Sequence, residues 1–370
     1  DEANLLFDEL RDAPMDADVP KLLNVSRPDV HIILLESFSS HLMPLLGGEP
    51  VAVGLDSIAR SGVVWTDFYA SSFRTDRGIP AILSGYPGQP TTSVMKYVSK
   101  AEHLPSLPRS MVEKGGYEAT YYYGGDANFT NQMAYLVASR FGRVVSDKDF
   151  PVSQRLSKWG AHDEVVLNRV LAELTPYNPD KPKLTVIQTS SSHEPFEVPY
   201  SSRGRLSDKR AEAFAYADSC VTAYVNALAA RPDWANTLVV LVPDHYGAYP
   251  ELTDPVQRHR IPLVMAGGAL AMHGEQTTVG SQTDIAATLL DALGIEHDEF
   301  PFSNNLLNLR SPHFAFFADP SYIGMITDDN TLVYSLDSNT AIVDNGNAPG
   351  SNLNHAKAFL QTLYTDLQSR

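Results

Sequence analysis

Leu238-Val239-Val240-Leu241-Val242-Pro243-Asp244-His245-Tyr246-Gly247 is the stretch on which the reading of the fold turns. Five apolar residues in succession predict a strand buried on both faces, the kind found in parallel sheets covered by helices. Asp-His and a glycine follow at once. This predicts two metal-ligand side chains at the carboxyl end of a strand, where open α/β sheets hold their chemistry. A carboxylate and an imidazole together suit a divalent ion with an open coordination position.

Four more runs read as buried strands: Val30 to Leu35, Ala119 to Tyr123, Leu184 to Gln188 and Ile261 to Met265. Helical stretches lie between them. One runs from about Leu104 to Lys114 and stops at Gly115-Gly116, a C-cap signal. Others run from about Asp208 to Ala230 and from about Asp284 to Leu293. Strand and helix in alternation imply an α/β fold with a mainly parallel sheet flanked by helices. Beyond Ser311 the pattern changes to short strands, Phe314 to Phe317, Ser321 to Ile326 and Thr331 to Leu336, and then a helix from about Leu353. We expect a connector over residues 1–28, a catalytic domain over 29–310, and a small antiparallel sheet with one helix over 311–370.

Composition narrows the function. The chain has 370 residues, 43% of them apolar and 19% charged, within the ordinary range for a globular protein. Its net charge of −16 argues against a nucleic-acid binder, while leaving room for an anionic substrate in a cleft with local arginines. The single cysteine, Cys220, rules out an intramolecular disulfide. No apolar run reaches the roughly 18 residues that span a bilayer. The chain opens at Asp1 rather than Met, so we read it as a piece of a longer protein, with any membrane anchor upstream.

The first strand ends in Leu35-Glu36-Ser37. If it runs parallel to the Asp244 strand near the sheet centre, Glu36, Asp244 and His245 converge as three ligands; a bare helix cap is the other use for Glu36. Ser71-Ser72-Phe73-Arg74-Thr75-Asp76-Arg77-Gly78 follows a strand-like stretch, Val63 to Tyr69, and precedes a short helix. A hydroxyl there would lie at the positive end of a helix dipole, between two arginines that suit phosphate or sulfate oxygens. Metal contact would make the Thr75 hydroxyl a nucleophile. An ordinary N-cap is the alternative.

Glu36-Ser37, Thr75 before a helix, Ser191-Ser192-His193-Glu194-Pro195-Phe196 and Asp244-His245-Tyr246-Gly247 occur in the order of a known family. The chain resembles the extracytoplasmic catalytic domain of lipoteichoic acid synthases and related phosphoglycerol transferases, members of the alkaline phosphatase and sulfatase superfamily. Tyr123-Gly124-Gly125-Asp126, Trp159-Gly160 with Asp163, Trp234-Ala235-Asn236-Thr237 and Gln282-Thr283-Asp284-Ile285 add to the likeness. The resemblance implies that Glu36, Thr75, Asp244 and His245 hold one divalent ion, typically manganese, with magnesium or zinc as alternatives. It implies Thr75 as the nucleophile and His193 beside the transferred phosphoryl group. Arg74, Arg77 and Asp126 are the further substrate-binding candidates. It also implies a phospholipid-derived or phosphoglycerol donor, a glycan or lipid acceptor, no nucleic acid, and a domain outside the cytoplasmic membrane tethered by segments beyond this chain.

The chain departs from that family at two places. Gly124 stands where the family has a His, and Phe129-Thr130-Asn131-Gln132 replaces Phe-Trp-Asn-Arg, so the Trp and Arg that contact glycerol phosphate are absent. The alternative reading is a phosphodiesterase, phosphatase or sulfatase-like hydrolase with water as acceptor. A sulfatase proper uses an aldehyde made from Cys or Ser, which Thr75 cannot form. A second ion would need further ligands, for which His259 and Asp284 are the candidates, one of them expected rather to cap a helix. His259 is also a candidate for the cleft itself.

Overall fold

The computed structural model describes residues 1–200 and 205–370. The strands are β1 (Asp29–Leu35), β2 (Val63–Trp65), β3 (Phe68–Tyr69), β4 (Glu118–Tyr123), β5 (Arg143–Val145), β6 (Lys183–Gln188), β7 (Thr237–Pro243), β8 (Leu263–Ala266), β9 (Gly274–Gln276), β10 (Gly280–Ser281), β11 (Ala315–Asp319), β12 (Tyr322–Ile326), β13 (Thr331–Ser335) and β14 (Thr340–Asn345). The helices are α1 (Glu2–Asp8), α2 (Val53–Ser61), α3 (Thr75–Ser84), α4 (Val98–Ala101), α5 (Leu107–Gly115), α6 (Gln132–Ala138), α7 (Asp163–Glu173), α8 (Lys209–Ala229), α9 (Pro255–His259), α10 (Asp284–Ala292) and α11 (Leu353–Ser369).

Eight strands form the main sheet in the order β5-β4-β6-β1-β7-β8-β2-β9. All are parallel except β8, which runs antiparallel to both β7 and β2. The mainly parallel α/β architecture expected from the sequence is therefore what the chain adopts. The unbroken apolar runs have a direct cause. Val30, Ile32 and Leu34 of β1, with Leu238, Val240 and Val242 of β7, enter one core with α3, α5, α10 and α11. Ile33, Leu35, Val239 and Leu241 enter the opposite core with α2, α7 and α8. A strand buried on both faces has no solvent side to make polar.

The second sheet, β11-β12-β13-β14, is antiparallel throughout. Its β11 meets the catalytic region directly: Ala318 N donates to Ser71 O (2.9 Å) and Ser72 Oγ to Ala318 O (3.2 Å), anchoring the loop before α3. β14 was not expected: the structure leaves Thr340–Asn345 mostly exposed, its apolar Ala341 and Ile342 included. It is an edge strand, held by backbone pairing to β13 rather than by burial. At the other end of the chain, α1 lies against α11, with the Phe7 ring 5.9 Å from that of Phe359.

Candidate active site

The register of the two central strands builds the site. β1 and β7 pair in parallel with Leu35 opposite Pro243, so the next residues, Glu36 and Asp244, emerge side by side. Both are buried. Asp244 Oδ1 accepts from the backbone N–H of Ser37 (3.0 Å) and of His245 (2.9 Å), leaving Oδ2 to face inward. Glu36 is held from behind by Thr189, whose Oγ1 accepts from Glu36 N (2.9 Å), and by Ser192, whose Oγ donates to Glu36 O (2.7 Å).

Thr75 arrives from across the sheet as the first residue of α3. Its Oγ1 is 2.7 Å from Asp244 Oδ2 and 3.4 Å from both Glu36 Oε2 and His245 Nε2. His245 Nε2 lies 3.4 Å from Glu36 Oε1 and 3.5 Å from Asp244 Oδ2. The other ring nitrogen, Nδ1, faces the carbonyl oxygen of Tyr246, which can only accept. With Nδ1–H donated there, Nε2 faces the two carboxylates and is left to take either a proton or a metal ion, the orientation a metal ligand needs.

The electrostatics fit a cation. Burial, then the charge of Glu36, pushes the Asp244 carboxyl well above the usual carboxylate range. Burial opposes the charged form of His245, but Asp244 and Glu36 beside it raise its imidazole. Burial likewise opposes ionised Glu36, and the hydrogen bond and charge of His245 outweigh it. Bonds of 2.0–2.2 Å in a tetrahedral site put neighbouring donors about 3.3–3.6 Å apart. The separations of 3.4 and 3.5 Å match that spacing, and the N/O donor set suits a divalent ion.

A cavity of about 450 Å³ opens over this cluster, lined by Glu36, Thr75, His193, His245, Trp159 and Tyr123 among others. His193 stands at its rim, Nε2 3.8 Å from Glu36 Oε1. Its Nδ1 donates to Glu194 O (3.0 Å), and its ring meets Trp159 edge-on at 4.3 Å. Trp159 Nε1 in turn donates to Glu194 O (2.8 Å). Asp163, buried at the start of α7, accepts from Ser190 N (2.8 Å) and Ser191 N (3.2 Å), so it fixes the loop that carries His193. Burial raises its carboxyl to about 6.

The structure thus brings Glu36, Thr75, His193, Asp244 and His245 together, with Arg74 exposed on the cavity wall. It does not bring Arg77 or Asp126 there. Arg77 is buried, donating to Gln89 O (3.1 Å) and Asp76 Oδ1 (3.3 Å), with its guanidinium 4.6 Å from the Phe73 ring centre. Asp126 is exposed and closes its own turn by accepting from Asn128 N (2.9 Å). His259 is not a cleft residue. It is fully buried, stacked on Phe317 at 4.1 Å, with Nδ1 donating to Ala70 O (3.1 Å). Asp284 is also committed elsewhere, accepting from Ser281 N and Asn304 N (both 3.0 Å) at the start of α10. Neither His259 nor Asp284 contributes to a second ion beside the first. Reasoning from sequence missed Thr189, Ser190 and Gln188 on the cavity wall. The strand-end rule applied to β6 would have found them, since β6 pairs with β1 in parallel.

Two carboxylates and a histidine at the strand ends of a mainly parallel sheet, with a threonine brought to them by the start of a helix, define the class: an α/β protein built for metal-assisted transfer at phosphorus or sulfur. Residues 28–295 match the sulfatase family, and the chain belongs to it. Solved structures of similar fold include a protein in the alkaline phosphatase superfamily from Vibrio parahaemolyticus, 22% identical, with a TM-score of 0.84 over 100% of this chain and 95% of that one. The lipoteichoic acid synthase LtaP from Listeria monocytogenes is 19% identical, with a TM-score of 0.77 over 99% and 98%. The C-terminal periplasmic domain of EcEptC from Escherichia coli, also described in complex with zinc, is 17% identical, with a TM-score of 0.61 over 86% and 97%. The superfamily and fold read from the sequence motifs are borne out.

Proposed function

We propose that this chain is a metal-dependent phosphoryl-group transferase. It would move a phosphoglycerol-type group from a phospholipid-derived or phosphoglycerol donor to a lipid or cell-envelope glycan through a covalent intermediate on Thr75. One observation carries the reading: the Thr75 hydroxyl, at the N-terminus of α3, is 2.7 Å from Asp244 Oδ2 and within 3.4 Å of Glu36 and His245, on the wall of an open cavity. Threonine at this position also argues against sulfate-ester cleavage through an aldehyde.

Glu36, Asp244, His245 and Thr75 Oγ1 would hold the cation, manganese by preference and magnesium or zinc otherwise. When bound, it would lower the pKa of the Thr75 hydroxyl and offset charge on the phosphoryl oxygens. Thr75 Oγ1 would give its proton to water in the open cavity and attack phosphorus in line. The new Oγ–P bond forms as the bond to the leaving oxygen breaks. His193 Nε2 is placed to protonate that oxygen. Arg74 and the free N–H groups at the start of α3 receive the remaining phosphoryl charge. An acceptor hydroxyl, giving its proton to the His193 Nε2 that protonated the first leaving oxygen, would then attack phosphorus; the Oγ–P bond breaks and Thr75 regains a proton from water. Asp76, also on the cavity wall, is kept from repelling the donor by its pairing with Arg77.

No helix among the described residues is long and apolar enough to cross a membrane. The EcEptC domain is periplasmic by its description. We place this domain likewise outside the cytoplasmic membrane, tethered by segments beyond the chain. Incubation with a glycerophospholipid, followed by intact-mass measurement, tests the reading. The wild type should gain one phosphoryl-linked adduct that Thr75→Ala lacks, and turnover should need added metal after chelation. Turnover by Thr75→Ala would sink the nucleophile. Product formed on a glycan or lipid acceptor, against product formed with water alone, separates transferase from hydrolase.

A further inference from the structure

Outside the Thr75 site, the described residues hold a second cluster of ligand-type side chains: Asp12, Asp291 and His297. Asp12 lies on the segment before β1, Asp291 in the last turn of α10, and His297 in the loop that follows. Their ligand atoms are all within 4.8 Å of one another. His297 Nε2 is 2.8 Å from Asp291 Oδ1 and 3.6 Å from Asp12 Oδ2.

Each carboxylate uses one oxygen on the protein and aims the other at His297. Asp12 Oδ1 accepts from Asn305 N (3.0 Å) and from Ser311 Oγ. Asp291 Oδ2 accepts from Asn305 Nδ2 (2.8 Å). Asn305 therefore fixes both acids. The informative atom is Asp12 Oδ2, which is shut off from solvent and has no hydrogen-bond partner among the described residues. A buried carboxylate oxygen without a donor is costly. An imidazolium offsets part of the charge at 3.6 Å but leaves this oxygen without a hydrogen bond, because its one Nε2–H is directed at Asp291. A cation between the three atoms satisfies all of them at once. The 3.6 Å from His297 to Asp12 suits the roughly 3.3–3.6 Å of a tetrahedral N/O site, while the 2.8 Å hydrogen bond from His297 to Asp291 would open by about 0.5 Å on binding. A cavity of about 340 Å³ opens onto Asp12, Asp291 and His297, giving an entry path and room for a water as fourth donor.

We propose that Asp12, Asp291 and His297 form a second divalent-cation site, suited to a first-row transition ion such as zinc, that fastens the segment before β1 to the end of α10. The Ser311 hydroxyl beside the cluster is engaged as a donor to Asp12 Oδ1 and is not placed as a nucleophile, so the role is structural. The fold gives it a purpose. The segment from Met15 to Ser26 roofs a cavity of about 680 Å³ against Ala271, Thr288 and Leu293; its backbone is tied to the body at Leu22 and Asn24, and an ion at Asp12 would fasten the end upstream of these ties.

Zinc titration of the chelator-stripped full chain, read by metal content and by thermal unfolding, tests this. The wild type should bind two equivalents. The E36Q/H245A double variant, crippled at the Thr75 site, should keep one, and that zinc should raise its Tm. Adding D12N or H297Q to the double variant should abolish both the remaining equivalent and the shift. H297Q alone should retain one equivalent and its turnover. A double variant that binds no zinc overturns the proposal, as does one whose stoichiometry is unmoved by D12N, the isosteric change should H297Q fail to fold.

Discussion

The carbonyl oxygen of Asp244 occupies the space that a side chain on Gly78 would need: a Cβ there would lie 1.9 Å from it. This contact lets the first turn of α3 settle onto the end of β7, and it sets the reach from Thr75 to the Asp244 carboxylate. Gly78→Ala should push helix and strand apart. The expected cost is about 1–3 kcal/mol of stability, with a weaker metal affinity because one ligand moves relative to the other three. Urea unfolding and a metal titration measure the two effects. A variant as stable and as metal-avid as wild type would show that the close approach does not set the site.

Gln282 locks the same junction from below. Its Nε2 donates to Pro243 O (2.7 Å) and Asp244 O (2.8 Å), and its Oε1 accepts from Ser71 N (2.9 Å). One fully buried side chain thus ties the strand that carries Asp244 to the loop that leads to Thr75. Gln282→Leu keeps roughly the volume and strands three backbone groups. A loss of about 2–4 kcal/mol is expected, since each unmet buried group costs about 1–3 kcal/mol and water recovers part of it. Turnover should fall with stability. Chemical denaturation beside steady-state kinetics decides it, and unchanged values in both would refute the clamp.

What was legible followed from periodicity and strand ends. β1 and β7 announce themselves because both faces are buried, and their parallel pairing brings Glu36 beside Asp244. Thr75 was legible as a residue opening a helix. What was not legible depends on long-range packing. His259 reads as a polar loop residue, yet its neighbours Phe317 and Tyr322 come from the second sheet. Arg77 sits one turn from the nucleophile, but the Phe73 ring and Gln89 hold it out of the cavity. The reversed direction of β8 carries no signature in its own residues, and the exposed edge strand β14 offers only the three-residue apolar run Ala341-Ile342-Val343. The cluster of Asp12, Asp291 and His297 joins residues nearly 300 positions apart in sequence, beyond any local pattern.

The two core histidines make stability depend on pH in a stated direction. Burial holds His259 and His31 neutral, with imidazole pKa values pushed down to about 3. In the unfolded chain each takes up a proton near pH 6.5. Below that pH the unfolded state binds protons that the folded state refuses, so stability is present above about 6.5 and is lost as the pH falls toward 3. Each histidine should account for about 2 kcal/mol lost between pH 6.5 and 4.5. Replacing His259 with Phe should remove that share, whatever its own cost at neutral pH. Urea unfolding at both pH values, compared between wild type and variant, gives the difference directly. Equal losses in the two proteins would mean that His259 is already protonated in the folded state.

Asp163 reaches the chemistry only through the backbone. Its two oxygens accept separately from Ser190 N and Ser191 N, and Ser191 Oγ accepts from Asp163 N (2.9 Å). Thr189 at one end of that loop supports Glu36, and His193 at the other stands over the cavity. Asp163→Asn replaces one acceptor with a donor facing an N–H, so the loop must shift while the fold persists. Displacement of a positioned group by about 1 Å can cost on the order of 100-fold in rate. We expect kcat to fall roughly 10- to 100-fold, with metal affinity falling less, because of the four ligands only Glu36 is tied to the loop, through Thr189 and Ser192. Asp163→Glu, which keeps two acceptors, should recover part of the rate. A metal affinity that falls as far as kcat, or a kcat equal to wild type, would show that the loop does not position His193 in the way the hydrogen bonds imply.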